Sequence, residues 1–374
     1  MRQITAADVA DIALGSSLLG AGGGGDPYTG SLVALGAIKE FGPVQLLDVD
    51  EVPDEWFVAP ICGVGAPSVL AEKGLNGGEF QTLIDAIEQV HGRKLDAFLL
   101  SEVGGLNSVV PIAAAGRAGI PLIDADGMGR AFPGIQQDTF SLNGVPTSPM
   151  AFADEKGNVA VLNTVDNDWM ETIGRAVTSA VGGQVLTLGS CMSGAKMKGS
   201  VVRGSLTKAQ QVGRIIRTAK ELAQAAQAEG DVNATPEQAF LRETGAVKLI
   251  AAKIVDVRRE VRGAFNFGTI ALEGIREDKG RSAQVDFQNE NLVARVDGKL
   301  AAMVPDLVCL VDAETFIPVT TDALKYGKRV LVVGLPCDPV WRTPGGIALA
   351  GPRWFGYDVD YVPLEELSSR GADA

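Results

Sequence analysis

The chain has 374 residues, of which 46% are hydrophobic and 21% are charged, and its formal net charge at pH 7 is −13. A chain of this length is long enough for two domains. Its acidity argues against nucleic acid or an anionic membrane surface as a partner, because both carry negative charge. No apolar run reaches the ~18 residues of a membrane span.

The first predicted element is a helix over residues 5–19, and a glycine-rich loop follows it. Four glycines in succession (Gly22, Gly23, Gly24 and Gly25) precede Asp26 and Pro27. Glycine permits positive φ and close approach of a ligand, and successive free amides bind anions. We therefore expect the loop to wrap a polar or anionic part of a small ligand, with Asp26 facing it. The alternative is a tight connection in which Asp26 only caps the next helix.

The same glycines formally satisfy the G-x-G-x-x-G pattern of dinucleotide-binding proteins. That pattern has meaning directly after a strand, and here it follows a helix. A dinucleotide site is therefore not expected.

Strands, glycine-rich turns and helices alternate over the first half of the sequence. The predicted strands are residues 44–49, 56–62, 97–100 and 120–123, and the predicted helices are 31–41, 80–90 and 108–118. A second glycine turn is predicted at residues 63–68. This alternation predicts an α/β domain with a mostly parallel sheet over residues 1–165.

The second half has a different pattern, in which strands follow one another with few helices between them. Helices are predicted at 166–181 and 205–228, and strands at 184–188, 248–261, 264–274, 283–287, 292–296, 307–311 and 329–333. A hairpin turn is predicted at residues 288–291. We expect a β-rich α+β domain over residues 166–374.

Four acidic residues lie in turns at or beside glycines: Asp26, Glu102, Asp124 and Asp126. If the strands that carry them are neighbours, the four converge at one edge of the sheet. Clustered carboxyl groups raise one another's pKa and serve as general acid and base, or they hold a divalent metal. The alternative is that each caps a helix or braces a turn.

Five further residues are candidates for binding or chemistry. Asn107 is a hydrogen-bond donor beside the Glu102 turn, and Arg130 is placed to pair with a carboxylate. Cys191 directly follows a predicted strand, which is a suitable position for a nucleophile. The alternative is that it is a small apolar residue in a turn. Arg342 and Arg353 each stand near an aromatic residue, where they bind a carboxylate or seal the surface.

The chain has a single histidine, His91, so a zinc site rich in histidine or an iron site with two histidines is not expected. His91 is expected to interact with a helix C-terminus. The four cysteines are scattered without a C-x-x-C pair, which predicts reduced thiols and a cytoplasmic location. Cys62 and Cys337, at strand ends, are weaker candidates than Cys191.

Several stretches together carry a family resemblance. They are LLGAGGGGDP, SEVGGLNSVVPIAAAGRAGIPLIDADGMGRAFP, PDLVCLVD and VVGLPCDPVWRTPGGIALAGPRWFGYD. With them the sequence resembles the S-methyl-thiohydantoin desulfurase family. The resemblance implies two domains that meet near residue 165 and cytoplasmic hydrolysis of a ring C–S bond, with release of methanethiol.

We therefore expect a hydrolase that acts on a small cyclic, amidine-like substrate such as an S-methyl thiohydantoin. Asp124 or Asp126 would be the base, with Glu102 as its partner and Asp26 assisting at the loop. The glycine amides and Asn107 would contact the ring. The alternative is a non-catalytic ligand-binding subunit of a hydantoin-processing complex.

No cofactor is required by the sequence, but a divalent metal, zinc or magnesium, is an open alternative. Asp26, Asp124 and Asp126 would be its oxygen ligands, and Cys191 would shift the preference towards zinc. The expected partner is a small-molecule substrate, with no nucleic acid and no membrane, and we expect a homo-oligomer.

Overall fold

The structure is a computed structural model that describes residues 2–65, 69, 73–262 and 265–372. Residues 66–68 of the predicted second glycine turn lie outside this part of the chain. No helix in the described ranges is long and apolar enough to cross a membrane.

The first half of the chain forms a sheet with helices packed against it. The strands of this sheet are β1 Arg2–Ile4, β2 Val44–Leu47, β3 Phe57–Gly65, β4 Ala97–Leu100, β5 Leu122–Ile123, β7 Met150–Ala153, β8 Val159–Leu162, β9 Gln184–Leu188 and β10 Met192–Ser193, and β6 Ala125–Asp126 and β11 Val202–Arg203 pair with each other in a separate small sheet. The helices of the first half are α1 Ala6–Leu19, α2 Pro27–Phe41, α3 Gly78–His91, α4 Val110–Ala118, α5 Thr139–Leu142, α6 Asn167–Ala180 and α7 Gly194–Lys198.

The main path of this sheet runs β1-β2-β5-β4-β3-β9-β7-β8. The central pairs β2–β5, β4–β5 and β3–β4 are parallel, and the flanking pairs are antiparallel. The predicted α/β half with parallel strands is confirmed. The carboxyl ends of β3 and β4 therefore open on the same edge of the sheet.

The second half forms an antiparallel sheet with helices beside it. The helices are α8 Ser205–Arg217, α9 Ala219–Ala228, α10 Pro236–Thr244, α11 Pro344–Ala350 and α12 Leu364–Ala372. The strands are β12 Val247–Arg262, β13 Phe265–Gly274, β14 Ser282–Gln288, β15 Glu290–Val296, β16 Lys299–Met303, β17 Leu307–Asp312 and β18 Arg329–Leu335. Their order is β16-β15-β14-β13-β12-β18-β17, so the predicted β-rich half is confirmed.

Two features of the second half differ in detail from the sequence expectation. The predicted helix over 205–228 is divided into two helices: α8 ends at Arg217, and α9 begins at Ala219. The hairpin turn predicted at 288–291 is tighter, since β15 begins at Glu290 directly after Asn289, whose φ is 56°.

Helices α1 and α8 pack in direct backbone contact and join the two halves. A Cβ atom at Gly15 would lie 1.8 Å from the Ala209 carbonyl oxygen, and one at Gly213 would lie 1.9 Å from that of Asp11.

Strand β9 pairs with β3 and β7 in the first sheet. The domain boundary at residue 165 stays a prediction.

Candidate functional site

The glycine loop, residues 22–25, is held from both halves of the chain. The Gly24 carbonyl accepts the amide of Leu106 at 2.8 Å, in the turn that follows β4. The Gly22 carbonyl accepts the amide of Thr321 at 2.9 Å, and Ala21 accepts that of Asn291 at 2.8 Å. The loop therefore lies where the edge of the first sheet meets the second sheet.

Close backbone contact explains why this loop needs glycine. Gly24 has a φ of +75°, and a Cβ atom there would lie 2.2 Å from the Cα atom of Gly104. At Gly23 a Cβ atom would lie 1.8 Å from Oε1 of Glu290. A side chain at either position would displace the neighbouring turn or the Glu290 carboxyl group.

Two amides of the loop are available to a ligand. In the part of the chain that the structure describes, the amides of Gly24 and Gly25 donate to no protein acceptor. Both residues line the cleft between the two halves. Successive unpaired amides of this kind form a site for an oxygen or an anion.

The cleft lies between the two halves of the chain and opens to solvent. The glycine loop and the ends of β3 and β4 form one side, and the β14–β15 hairpin forms the other. Its polar lining includes Ser101, Glu102, Asn107, Arg175, Gln184, Thr187, Asn266, Asn289, Glu290 and Thr321.

Glu102, in the turn after β4, is held as a hydrogen-bonded carboxylate. Its Oε1 accepts Asn107 Nδ2 at 2.6 Å, and its Oε2 accepts the Phe132 amide at 3.3 Å. Burial raises the pKa of Glu102 to about 7, and the charge of Asp126 adds to this rise. The two hydrogen bonds and the positive charge of Arg175 oppose it.

Glu290, the first residue of β15, faces the same cleft from the other half of the chain. Its side chain is 3% exposed, and its Oε2 has no hydrogen-bond partner among the described residues. Burial, and secondarily the charge of Glu102, raise the pKa of Glu290 well above its usual range. Because the charge of Glu102 opposes ionisation of Glu290, the two carboxyl groups titrate as a pair.

Arg175, on α6, supplies the positive charge in the cleft. Its Nε donates to Glu171 at 2.6 Å, and its Nη2 donates to the Pro133 carbonyl at 2.5 Å. Its guanidinium carbon lies 4.6 Å from the centre of the Phe265 ring. These contacts fix the guanidinium at the wall of the cleft, where it is suited to an acidic group of a ligand.

Cys62, on β3, also lines the cleft and is 9% exposed. Burial raises the pKa of its thiol well above the usual range, and the charge of Glu102 adds to the effect. The amide of the next residue, Gly63, donates to Asn107 Oδ1 at 2.9 Å. Asn107 thus links the backbone beside Cys62 to the Glu102 carboxylate.

Three of the four acids singled out from the sequence lie outside the cleft lining. Asp26 caps α2 by accepting the amides of Tyr28 and Thr29. Asp124 accepts the amides of Leu206 at 2.8 Å and Thr207 at 3.2 Å, at the first turn of α8.

Asp126 is wholly buried behind the cleft wall. It accepts the amides of Met128 and Gly129 and the hydroxyl of Ser205, and burial raises its pKa to about 7. The expected convergence of four acids is therefore not found: only Glu102 lines the cleft.

Arg130 holds the two halves of the chain together. It is fully buried and donates to the carbonyls of Pro305 at 2.8 Å, Asp306 at 3.0 Å and Asn291 at 3.4 Å. Its donors therefore serve the fold, and it does not line the cleft.

The other candidates from the sequence also have partners or positions away from the cleft. Arg342 pairs with Asp306 at 2.8 Å, and Arg353 pairs with Asp360 at 2.7 Å on the surface. Cys191 packs against the core of the first half, although Gly189 and Ser190 before it reach the cleft. Asn107 and the glycines Gly23, Gly24 and Gly25 do line it, and Gly22 serves the loop through its carbonyl.

The proposed metal ligands were Asp26, Asp124, Asp126 and Cys191. Within residues 2–65, 69, 73–262 and 265–372, no group of three or more histidine, cysteine or acidic side chains has the arrangement of a metal site.

Two family models match adjacent parts of the chain and together cover most of it. The S-Me-THD-like N-terminal domain matches residues 7–164, and the S-Me-THD-like C-terminal domain matches residues 165–364. The chain belongs to the S-Me-THD-like family. The resemblance seen in the sequence is thereby confirmed. No curated protein matches the chain.

A solved structure shares the fold of this S-Me-THD-like chain. It is the crystal structure of a protein from Chromobacterium violaceum, determined by the Northeast Structural Genomics Consortium, with a TM-score of 0.76 and 23% sequence identity. The match covers 97% of this chain and 100% of that one. At this identity the likeness supports the fold alone.

Sequence reasoning missed Glu290 and Arg175, and it ranked Cys62, at a strand end, below Cys191. The hairpin that carries Glu290 was recognised, and an acid at its tip beside two asparagines was the available signal. Nothing in the sequence distinguishes Arg175 from an arginine on the exposed face of a helix.

Proposed function

We propose that this S-Me-THD-like protein is a hydrolase that cleaves the ring C–S bond of an S-methyl thiohydantoin. The products are the corresponding hydantoin and methanethiol. The observation that supports this proposal is the pair of carboxyl groups of Glu102 and Glu290, which line one cleft, with Oε2 of Glu290 buried and without a hydrogen-bond partner among the described residues.

The reaction needs a base and an acid at one carbon atom. That carbon is bonded to sulfur and two nitrogens, and it is electrophilic because one bond to nitrogen is double. Glu102 takes the proton of the attacking nucleophile, which in the overall reaction is water. Glu290 gives its proton to the ring nitrogen that receives the electron pair of the double bond.

Addition of water to the ring carbon gives a tetrahedral adduct, and collapse of this adduct returns both carboxyl groups to their starting protonation states. The hydroxyl of the adduct gives its proton to Glu290 as the carbonyl forms, and the C–S electron pair leaves with sulfur. The proton on Glu102 then passes to the departing methanethiolate. Free amides of Gly24 and Gly25 hold a ring oxygen, and Arg175 holds an acidic substituent.

The test is turnover of S-methyl thiohydantoin propanoate by the purified protein, followed with a thiol reagent. We expect one methanethiol for each hydantoin formed. Glu290→Gln lowers kcat/KM by at least ~100-fold, the scale for loss of a general acid. Glu277→Gln is the matched control, because Glu277 lies on the surface and pairs with Lys248.

Absence of methanethiol from the wild-type protein would contradict the proposal. Saturable binding of the same compound without turnover would favour the ligand-binding subunit. Equal turnover by wild type and Glu290→Gln would remove Glu290 from the reaction.

A further inference from the structure

The cleft contains a side chain that the acid–base pair leaves without a role. Cys62 Sγ donates to the Gly63 carbonyl at 3.2 Å, and the Ser101 side chain is a further hydrogen-bond partner. It lies on β3, one residue before the backbone that Asn107 ties to Glu102. The Cys62 thiol therefore lies near Glu102, the proposed general base.

We propose that Cys62 is the first nucleophile of the reaction and that the substrate ring is carried on its sulfur as a covalent intermediate. This inference rests on the proposed hydrolase function. It replaces one difficult displacement with two easier ones.

A second observation, independent of the thiol, points to a ligand at this place. Glu290 Oε2 is buried, lines the same cleft and has no partner among the described residues. A buried acid oxygen in this state needs a partner, and a ring nitrogen of the substrate would supply one.

The covalent step balances without any added reagent. As Cys62 Sγ bonds to the ring carbon, its proton passes to Glu102, and Glu290 protonates the ring nitrogen. The bond from carbon to the methylated sulfur then breaks, and the Glu102 proton leaves with methanethiol. The nitrogen returns its proton to Glu290 as the C=N bond reforms, which leaves the ring on Cys62.

Hydrolysis of this intermediate repeats the sequence with water as the nucleophile. Water adds to the same carbon and gives a proton to Glu102, while Glu290 again protonates the nitrogen. When the carbonyl forms, its hydroxyl proton goes to Glu290 and the bond to Cys62 breaks. Glu102 returns its proton to the sulfur, and the free thiol is restored.

The other cysteines lack these features. Cys309 donates to the Leu18 carbonyl at 3.1 Å inside the core, and Cys337 is 7% exposed in the same region. Cys191 lies outside the cleft lining. The geometry therefore selects Cys62 alone among the four.

The experiment is a rapid-quench time course with wild-type protein and excess S-methyl thiohydantoin propanoate. We expect a burst of about one methanethiol per protein, as in other covalent mechanisms. Intact mass then shows protein plus substrate minus methanethiol, and peptide mapping places the addition on Cys62. Cys62→Ala and Cys62→Ser lower kcat by at least ~100-fold. Cys337→Ala, the matched control, keeps the wild-type rate.

Other results would overturn the inference. Wild-type turnover that is linear from the first cycle, with unmodified protein at every quench time, contradicts the intermediate. A Cys62→Ala protein with the wild-type rate does the same, and in both cases the hydrolase function stands. If wild type releases no methanethiol, the hydrolase function and this inference fail together.

Discussion

The carboxyl groups of this chain differ in the hydrogen bonds that their oxygens accept. Those that cap a helix stabilise the fold, and a buried one with an oxygen that lacks a protein partner is a candidate for catalysis. Asp124 receives the amides of Leu206 and Thr207 and the Thr207 hydroxyl, so it completes the first turn of a helix. Glu290 receives nothing from the described residues at Oε2. An acid that caps a helix and an acid without a partner look alike in sequence, because both lie in turns.

The cap predicts an effect of Asp124 on stability and little effect on turnover. Asp124→Ala should lower the free energy of unfolding by about 1–2 kcal/mol, the upper range for loss of a helix cap. Urea unfolding and kcat/KM for S-methyl thiohydantoin propanoate measure the two effects separately. We expect kcat/KM to change by less than ~3-fold, since Asp124 does not reach the cleft.

A loss of kcat/KM by ~100-fold in Asp124→Ala, with unchanged unfolding, would instead support the general-base role expected from the sequence. Asp322→Ala serves as a comparison. Asp322 lines the cleft, is exposed and accepts no hydrogen bond from the described residues, so its substitution should spare stability.

Among the elements, the glycine loop has no room for side chains at two positions, because it is in contact with parts of both halves of the chain. Gly24 meets Gly104, Gly23 meets Glu290, and the loop carbonyls accept amides from both halves of the chain. The loop thus joins the two halves of the chain, and it is also part of the proposed ligand site.

Gly24→Ala should therefore impair both the fold and turnover. Its φ of +75° disfavours alanine, and the new Cβ would be 2.2 Å from the Gly104 Cα atom. We expect a lower Tm and a loss of kcat/KM when the two are measured together. Gly36→Ala is the matched control, because Gly36 lies inside α2 with nothing within 4 Å of a Cβ atom.

Gly36→Ala should keep turnover and raise stability by up to ~1 kcal/mol, the difference between alanine and glycine in a helix. A Gly24→Ala protein with the Tm and kcat/KM of wild type would show that the close contact with Gly104 is not needed.

Helices and strands were predictable where the hydrophobic pattern is regular. Thr5 and Asp26 begin α1 and α2 as their side chains predict, and buried strands such as β18 read as apolar runs. The return of β9 into the first sheet was not predictable, because strand order depends on pairings far apart in sequence. The break after Arg217 has no glycine or proline to mark it.

At the scale of the whole molecule, the site is assembled from distant parts of the chain. Glu102 and Asn107 were predictable, because a polar turn after a buried strand opens at a sheet edge. Glu290, Arg175 and Cys62 come from a hairpin, a helix and another strand, and only tertiary structure brings them to one cleft. The sequence therefore indicated one side of the site and left the other side unassigned.

The proposed acid–base pair predicts that kcat/KM falls at both low and high pH. Glu102 acts as a base only when ionised, so kcat/KM falls as pH drops below about 7, the pKa of its carboxyl group. Glu290 acts as an acid only when protonated, so kcat/KM also falls when its raised pKa is passed at higher pH. We therefore expect a bell-shaped profile, whose two apparent pKa values belong to the pair.

The most direct test is the pH dependence of kcat/KM for S-methyl thiohydantoin propanoate in wild type, Glu102→Gln and Glu290→Gln. We expect wild type to give a bell-shaped profile with its acid limb near pH 7. Glu290→Gln should be slower and lose the alkaline limb while keeping the acid limb, and Glu102→Gln should lose the acid limb together with most of its activity. Wild-type profiles and rates in both variants would contradict the central claim that these two carboxyl groups carry the reaction.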